Sequence, residues 1–248
     1  MKKSVFPGPA GKADGPPEET RFFVFPAEKK RELEREDYTM IEIKELPIKR
    51  GNVPLRVAKG HFATNHSHIN YYVDISYQKT RLNEARDVAK QLAPHYRNIP
   101  VDTILCLDGT AVIGTCLARE LVSSSRSVND HRDICVLEPE YNANSQIIFR
   151  DNVQSLIRDK HVLVLMASVT TGFTANRSIE AIGYYGGEVS GVCALYSAVD
   201  TSAGFPVHSV YDLNDLPGYA SYDYRDCPYC KAGRRLDALV NSFGYSAL

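Results

Sequence analysis

The feature that most constrains the fold is a repeated order of apolar strand, turn and helix between Gly60 and Ala203. Val101–Leu107 and His161–Ala167 are apolar runs, and each leads directly into a turn and then a helical pattern. Such strands are typical of a parallel sheet whose two faces are both covered by helices. The order recurs about every 30 residues, which is the size of a βαβ unit. We therefore predict an α/β fold.

Other segments extend this pattern. Leu82–Tyr96 and Ala111–Val122 have helical spacing, and a third helix is predicted from the turn after Ala167 to about Tyr185. Further strands are predicted at Ile69–Ile75, Asp133–Leu137, Gln146–Phe149 and Glu188–Tyr196. Before this core, the sequence predicts a strand at Arg21–Pro26, a charged helix at Ala27–Glu36 and a weak strand at Tyr38–Leu46.

Composition excludes several classes of protein. The chain has 29 Lys and Arg against 30 Asp and Glu, and this balance argues against a broad nucleic-acid surface. No apolar run reaches the length of about 18 residues that a transmembrane helix needs, and no apolar segment of a signal peptide follows Lys3. Four of the six cysteines lie in apolar or strand-like surroundings. We expect reduced thiols and a cytoplasmic protein.

The sequence divides into four expected segments. Residues 1–20 contain three Gly and four Pro and are predicted to form a mobile tail. Residues 21–60 form an N-terminal segment, and residues 61–205 contain the α/β core. Residues 206–248 form a C-terminal segment that carries a Cys-x-x-Cys motif.

The turn after the most apolar strand is the strongest candidate for an anion site. A turn rich in Ser, Thr and Gly that opens a helix presents backbone N–H groups at the positive helix end, which suits a phosphate. Gly172 permits a close approach of the backbone, and Thr170, Thr171 and Thr174 offer hydroxyl donors. The Gly-Lys-Ser/Thr ending of a Walker loop is missing. An ordinary βα turn without a ligand is the alternative.

A second turn, Asp108-Gly109-Thr110, also follows a buried strand. It is expected at the carboxyl end of the sheet, where ligands bind in open α/β folds. Asp108 suits a magnesium-bound diphosphate through water, and the N–H groups of Gly109 and Thr110 suit an oxygen. The alternative is a turn that only begins the next helix.

At these turns the sequence resembles the type I phosphoribosyltransferases. Residues 162–174 are similar to their phosphoribosyl-diphosphate (PRPP) motif, in which an apolar strand precedes two acidic residues and a Thr-x-Gly-x-Thr loop. Three further segments resemble the orotate phosphoribosyltransferase branch in the same order: Gly60–Thr64 with Tyr71–Asp74, Val101–Gly114, and Cys227–Gly233.

The resemblance implies a fold, an activity and a set of site residues. The fold is a parallel sheet flanked by helices, with a small hood from the N- and C-terminal segments. The activity is transfer of phosphoribosyl from PRPP to a nucleobase with Mg²⁺, in pyrimidine biosynthesis, by a homodimer. The resemblance assigns Phe62, Tyr71 and Tyr72 to the base side, residues 108–110 to the diphosphate, and Thr170, Thr171, Gly172, Phe173 and Thr174 to the phosphate. No catalytic residue is assigned.

Two departures weaken the expected chemistry. Met166 and Ala167 stand where the family has its acidic pair, which holds the ribose hydroxyls. The segment 137–148 has no Lys or Arg where the family has a basic loop, unless Arg150 substitutes. We expect either an enzyme with weakened activity or a non-catalytic relative that binds PRPP or a nucleotide. An α/β protein for an unrelated phosphorylated metabolite is a third interpretation.

The histidines and the Cys-x-x-Cys motif do not assemble a metal site from their spacing. His61, His66 and His68 are expected to be solvated loop residues, with a polar rim facing a base or a partner as the alternative. Structural zinc needs two ligands besides Cys227 and Cys230, and no second Cys-x-x-Cys or His-x-x-x-His follows. We therefore predict no metal bound by the protein alone and a reduced turn motif. A metal or a disulfide is the alternative, with His208 a distant candidate ligand.

Overall fold

The computed structural model describes residues 41–47, 51–123 and 125–248. The expected tail at 1–20, the strand at 21–26 and the charged helix at 27–36 lie outside the described residues. None of the helices in the described ranges has the length and hydropathy needed to span a bilayer.

Fourteen strands and six α-helices occur in the described part of the chain. The strands are β1 (Lys44–Leu46), β2 (Leu55–Ala63), β3 (His68–Asp74), β4 (Thr103–Cys106), β5 (Cys135–Leu137), β6 (Glu140–Tyr141), β7 (Ile147–Ile148), β8 (His161–Val169), β9 (Glu188–Ser197), β10 (Thr201–Ser202), β11 (Phe205–Tyr211), β12 (Ser221–Tyr222), β13 (Ala238–Asn241) and β14 (Gly244–Ala247). The helices are α1 (Ser76–Thr80), α2 (Leu82–Leu92), α3 (Ala111–Val122), α4 (Asp151–Gln154), α5 (Phe173–Tyr184) and α6 (Pro228–Lys231), with a 3₁₀ helix at Ala93–Tyr96.

The core sheet has the order β10-β11-β9-β8-β4-β5. All its neighbouring strands are parallel except β10 and β11. The chain enters at β4, adds β5 on one side, and then adds β8, β9 and β11 on the other. The strand order therefore reverses between β4 and β8. Ligands of open α/β sheets bind outside the carboxyl ends of the strands at such a switch point.

Helices cover both faces of this sheet, as the apolar strands predict. Because successive side chains of a strand point to opposite faces, β8 divides its residues between two cores. Leu163, Leu165 and Ala167 pack in the core that includes α2 and α3. Val164 and Met166 pack in the core that includes α5. A strand buried on both faces requires apolar residues at nearly every position, which is what the sequence shows.

A second sheet, hereafter the hood, has the order β12-β3-β2-β13-β14, and β1 also pairs with β2. β13 pairs with β2 in parallel, although the residues of the core sheet lie between these two strands along the chain. Phe62, Tyr72 and Val240 pack together beneath it. The predicted hood from N- and C-terminal segments is therefore present.

The expected segment boundaries do not coincide with the sheets. β3 and the last residues of β2 follow residue 60 but belong to the hood, and β11 follows residue 205 but belongs to the core sheet. The hydrophobic pattern of an antiparallel hairpin does not say which sheet the hairpin joins. The long helix predicted at Leu82–Tyr96 is α2 followed by the 3₁₀ helix, and the strand predicted at Tyr38–Leu46 is limited to Lys44–Leu46 in the described residues.

Asn129 anchors the loop that leads into β4, which generates a stability prediction. Its fully buried side chain accepts a hydrogen bond from the N–H of Val101 at 2.9 Å and donates to the carbonyls of Tyr96 and Ile99 at 3.1 and 3.0 Å. Asn129→Ala removes the side-chain partner of the Val101 N–H and of the Ile99 carbonyl, so we expect a loss of about 2–3 kcal/mol in the free energy of unfolding. Urea denaturation measures it. The exposed control Asn144→Ala should change stability by less than about 0.5 kcal/mol, and equal effects would contradict the assignment.

Candidate functional site

A cavity of about 260 Å³ lies between the hood and the switch point of the core sheet. From the core it is lined by the continuous stretch 166–175, by Asp108 and by Tyr196. From the hood it is lined by the β2–β3 turn, by residues of β3, and by Asn241 and Ser242 at the end of β13. The two sheets therefore enclose the two turns that the sequence marks as candidates.

The turn before α5 is shaped for an anion. Thr170, Thr171, Gly172, Phe173 and Thr174 all line the cavity. Gly172 has a φ of 77°, in the left-handed region, and no side chain caps the start of the helix. The N–H groups of the first helical turn have no intrahelical acceptor, so the positive end of α5 opens toward the cavity. This is the arrangement that the sequence predicts for a phosphate site.

Side-chain contacts hold this turn in place. Ser202 is buried, and its hydroxyl lies 2.6 Å from Oδ1 of Asn176 and 3.4 Å from the carbonyl oxygen of Gly172. The N–H of Asn176 donates to the same carbonyl at 2.8 Å. The left-handed conformation of Gly172 is thus fixed from outside the cavity, which leaves the inner side of the turn for a ligand.

Phe173 forms part of the rim. Its side chain is half-exposed, and its ring lies 5.3 Å from the ring of His66 and 5.0 Å from the guanidinium of Arg177. Phe173 and Arg177 also line a second, shallow cavity together with the β6–β7 hairpin. Arg177 brings a cation next to the anion turn. Its position one helical turn after Thr174 is the sequence signal that would have found it.

The Asp108-Gly109-Thr110 turn is present, but only part of it faces the cavity. Asp108 lines the cavity, and its Oδ2 accepts a hydrogen bond from the N–H of Ala167 at 3.3 Å. Burial raises the pKa of Asp108, although this N–H and the charge of Lys79 act in the opposite direction. Gly109 has a φ of 74° and is exposed.

The structure contradicts the expectation that the N–H of Thr110 is available to a diphosphate. This N–H donates to the carbonyl of Leu107 at 3.1 Å, and the Thr110 hydroxyl lies 2.7 Å from the same oxygen and 3.2 Å from that of Leu165. Because Thr110 is fully buried and its donors are used within the fold, it does not offer its N–H to a diphosphate. It holds the turn against β8 instead.

Lys79 is a site residue that sequence reasoning missed. It lies on α1 and is only 8% exposed, and its Nζ donates to the carbonyl of Asp108 at 2.9 Å and to that of Ser242. Burial lowers its pKa, while the carboxylates of Asp108 and Asp74 raise it. The buried ammonium of Lys79 therefore connects the turn at residues 108–110 with the hood. The sequence signal was a lysine five residues after the Tyr-Tyr-Val-Asp strand.

The three aromatic residues assigned to the base side separate into two groups. Tyr71 and Tyr72 line the cavity. Phe62 is 1% exposed and packs edge to face on Tyr72, with ring centroids 6.2 Å apart. Phe62 therefore supports Tyr72 from within the hood and does not itself line the cavity, because its side chain is buried in the cluster formed by β2, β3 and β13.

Met166 and Ala167 form the floor of the cavity and are 2% and 1% exposed. Within the described ranges, Asp108 is the one carboxylate that lines the cavity, and no Lys or Arg side chain lines it. The groups that could donate to an anion here are therefore backbone N–H groups, hydroxyls and the side chains of His66 and two asparagines, and the floor is electrically neutral.

The segment after β5 is a short hairpin, not a basic loop. β6 and β7 pair antiparallel, and the carbonyl and side chain of Asn142 close the turn between them. Arg150 binds both carboxylate oxygens of Glu140, with Nε to Oε2 at 2.8 Å. The one cation that sequence reasoning offered as a substitute is therefore already paired with a carboxylate of the same hairpin.

The candidate histidines and cysteines differ from their expected placement. His61 is fully buried on β2, not in a loop, and His68 is partly buried at the start of β3. Both lie beside Cys227 and Cys230. His66 is exposed at the cavity rim, and His208 stacks on His95 with ring centroids 4.2 Å apart. The pairing of distant strands decides this cluster, and spacing along the chain does not reveal it.

Known proteins similar to this chain include several phosphoribosyltransferases. An orotate phosphoribosyltransferase of Caldanaerobacter subterraneus subsp. tengcongensis is 26% identical over 186 residues, covering 71% of this chain and 86% of that protein. Orotate phosphoribosyltransferase of Mycobacterium tuberculosis H37Rv, solved with inorganic phosphate, is 20% identical over 59% of this chain and 82% of its own, with a TM-score of 0.43. A phosphoribosyltransferase from Corynebacterium diphtheriae is 18% identical over 63% of this chain and 90% of its own, with a TM-score of 0.45. No protein-family model matches the chain.

The parallel sheet with its hood and the Thr170–Thr174 turn at the switch point define the class of protein. Together with the curated relative, they make the chain similar to the type I phosphoribosyltransferases. Among these it is similar to the orotate phosphoribosyltransferases.

The geometry at Gly172 gives a binding prediction. A Cβ at this position would lie 3.0 Å from the Ser202 hydroxyl, and the φ of 77° strains any β-branched residue. We expect Gly172→Val to abolish binding of inorganic phosphate and of PRPP in calorimetric titration. The control Gly204→Val carries the same positive φ in open space outside the cavity and should bind as the wild type does. Unchanged affinity in Gly172→Val would rule out this turn as the anion site.

Proposed function

We propose that the cavity binds PRPP or a closely related phosphorylated ribose, and that this protein transfers phosphoribosyl to a nucleobase far more slowly than an intact orotate phosphoribosyltransferase. The observation that carries the proposal is the uncapped start of α5 at the left-handed Gly172, inside a cavity at the switch point. This turn supplies phosphate donors while the floor supplies no charge. The M. tuberculosis orotate phosphoribosyltransferase has been solved with PRPP.

Nearby charges support binding of an anion. Lys79 and Arg177 lie outside the cavity lining, one behind Asp108 and one beside Phe173. Positive charge behind neutral donors raises the local concentration of an anion. Lys79, whose Nζ donates to the carbonyl of Asp108, places a positive charge beside the single carboxylate of the lining and offsets part of its repulsion of a diphosphate.

Magnesium fits this site only in company with a phosphorylated ligand. Mg²⁺ keeps several waters and is usually held by one or two carboxylates together with substrate phosphates. Asp108 is the one carboxylate of the lining in the described ranges and would hold the ion through water. The ion would neutralise diphosphate charge there.

The neutral floor supports slow transfer. Carboxylates at positions 166 and 167 would accept hydrogen bonds from ribose hydroxyls and stabilise a cationic transition state. Each charge-assisted hydrogen bond contributes about 1.5–3 kcal/mol. The loss of two therefore costs about 3–6 kcal/mol, or about 10²–10⁴-fold in rate. The paired Arg150 adds no cation to close over a diphosphate.

A second candidate function is regulatory binding of PRPP or a nucleotide without turnover. The apolar Met166 and Ala167 favour it, because they leave the phosphate turn intact and remove only the groups that act on the ribose. The two functions differ in one measurable product, the diphosphate released from PRPP.

Calorimetry followed by an activity assay separates these outcomes. The full chain is titrated with PRPP and Mg²⁺, and diphosphate release is then followed with orotate and a panel of other bases. Binding with slow release supports the first function, and binding with no release supports the second. Absence of PRPP binding would overturn the proposal, and turnover of about 1 s⁻¹ or more, within the usual enzyme range, would refute weakened activity.

Restoring the acidic pair tests the role of the floor. We expect Met166→Asp with Ala167→Asp to raise PRPP affinity by about tenfold or more, because each new charge-assisted hydrogen bond contributes about 1.5–3 kcal/mol. Turnover should recover less, because Arg150 after the β6–β7 hairpin is paired with Glu140 and the described segment 137–148 has no Lys or Arg to close over the diphosphate. The matched control Met166→Asn with Ala167→Asn keeps the size and lacks the charge. Equal PRPP affinity in the two double variants, with both folded by circular dichroism, would contradict the assignment.

We also propose a homodimer, as the family resemblance implies. The tyrosines of the C-terminal segment divide between two roles: Tyr211 and Tyr219 pack in their own chain, and Tyr224 is 57% exposed. Light scattering at micromolar concentration should give twice the chain mass of 27.7 kDa. A mass of one chain would refute the dimer.

A further inference from the structure

Four side chains outside the cavity between the hood and the core sheet lie close together. His61 lies on β2 and His68 on β3. Cys227 immediately precedes α6, and Cys230 lies within it. One nitrogen or sulfur atom of each lies within 4.8 Å of the corresponding atom of every other. The two histidines and the two cysteines are brought together across most of the length of the chain.

The distances within this cluster match tetrahedral zinc. Nε2 of His61 lies 3.1 Å from Nδ1 of His68, 3.3 Å from Sγ of Cys227 and 3.6 Å from Sγ of Cys230. Sγ of Cys230 lies 3.3 Å from Nδ1 of His68. Zinc bonds of about 2.0–2.1 Å to nitrogen and about 2.3 Å to sulfur place tetrahedral ligand atoms about 3.3–3.8 Å apart. These four separations agree to within a few tenths of an ångström, and all four atoms lie within 4.8 Å of one another.

The protonation of His61 also suits a metal. Its Nδ1 lies 3.1 Å from the carbonyl oxygens of both Arg234 and Arg235. A carbonyl can only accept, so Nδ1 carries the proton and the lone pair of Nε2 faces the cluster. Metal-binding histidines commonly donate their other ring N–H to a carbonyl in this way, which fixes the tautomer and the ring.

The surrounding fold holds the ligands in position. The N–H of His61 donates to Oδ2 of Asp237 at 2.6 Å, and the N–H of Asp237 donates to the carbonyl of His61 at 2.8 Å. The ring of Tyr229 stacks on that of His61 with centroids 5.2 Å apart. Cys227 is fully buried and Cys230 is exposed, so the cluster is ordered yet open to an entering ion.

We propose that His61, His68, Cys227 and Cys230 bind one structural Zn²⁺ ion. Two thiolates and two imidazoles in tetrahedral positions form a site that favours zinc, and four protein ligands leave no open position for a substrate. The site is separate from the Asp108 position at which magnesium would accompany PRPP. It does not rest on the proposed function.

The position of the ion gives it a role in shaping the cavity. His61 and His68 flank the β2–β3 turn, whose residues 64–67 line the phosphate cavity. Cys230 is followed closely by β13, which leads to Asn241 and Ser242 on the same lining. One ion would therefore fasten the C-terminal segment to the hood and fix two walls of the cavity.

Metal analysis of the full chain tests this site without any phosphorylated ligand. The protein is produced with zinc in the medium, purified under reducing conditions and analysed by mass spectrometry for bound metal. We expect about one zinc per chain, as for a closed four-ligand site. Cobalt added to the metal-free, reduced chain should give the visible absorption of tetrahedral Co²⁺ with thiolate ligands.

Substitutions locate the ion. Cys230→Ser and His68→Ala should lower bound zinc to below about one tenth of the wild-type amount, because ligand loss couples directly to metal affinity. Cys230 is exposed, so its replacement by serine is compatible with folding, which circular dichroism checks. The controls Cys135→Ser and His131→Ala change residues outside the cluster and should keep about one zinc per chain.

Three results would overturn the proposal. One is a reduced wild-type chain that retains no zinc and gives no tetrahedral cobalt spectrum. Another is full zinc content in both Cys230→Ser and His68→Ala. The third is a Cys227–Cys230 disulfide in protein isolated with thiols blocked at lysis, since an oxidised pair cannot bind the ion. None of these results depends on whether PRPP binds.

Discussion

The parallel pairing of β8 with β4 on one side and β9 on the other is the constraint on which the rest of the structure depends. It places two strand ends side by side, and each end continues into a turn that faces the same cavity. Because side chains alternate along a strand, a shift of one residue would exchange the two cores on either face. The apolar residues of β8 therefore fix both the packing of the sheet and the location of the site.

Under the proposed function, the cavity separates phosphate recognition from ribose chemistry. Recognition rests on backbone geometry at Gly172 and the start of α5, which is insensitive to most side-chain changes. Chemistry on the ribose rests on the side chains of the floor, which here are Met166 and Ala167. A relative can therefore lose the second function while the first persists, because the two depend on different parts of β8 and the turn that follows it.

The hood depends on contacts between distant parts of the chain. β13 pairs with β2, and the His61, His68, Cys227 and Cys230 cluster lies beside that pairing. Such contacts carry a large cost in loop-closure entropy, which local sequence cannot offset. A cross-link by a metal ion at this point would oppose that cost, and the lining residues supplied by the hood would gain order from it.

The sequence by itself determined the α/β class, most strand and helix positions, and the Ser-, Thr- and Gly-rich turn before α5. Each of these follows from local signals: apolar runs, helical spacing, and Gly172 between hydroxyl residues at a strand end. That Met166 and Ala167 replace an acidic pair stays a prediction from the resemblance. Local signals suffice here because a doubly covered strand and an anion turn each impose their pattern on adjacent residues.

Only the tertiary structure decided which residues meet across the chain. In the folded chain Phe62 packs against Tyr72 inside the hood, and the N–H of Thr110 donates to a carbonyl of the fold. The buried Lys79 donates to the carbonyl of Asp108. The tertiary structure also joined two histidines to two cysteines more than a hundred and fifty residues away. Strand pairing between remote segments determines these contacts. Their energy depends on residues that lie far apart along the chain, so no short stretch of sequence contains both partners.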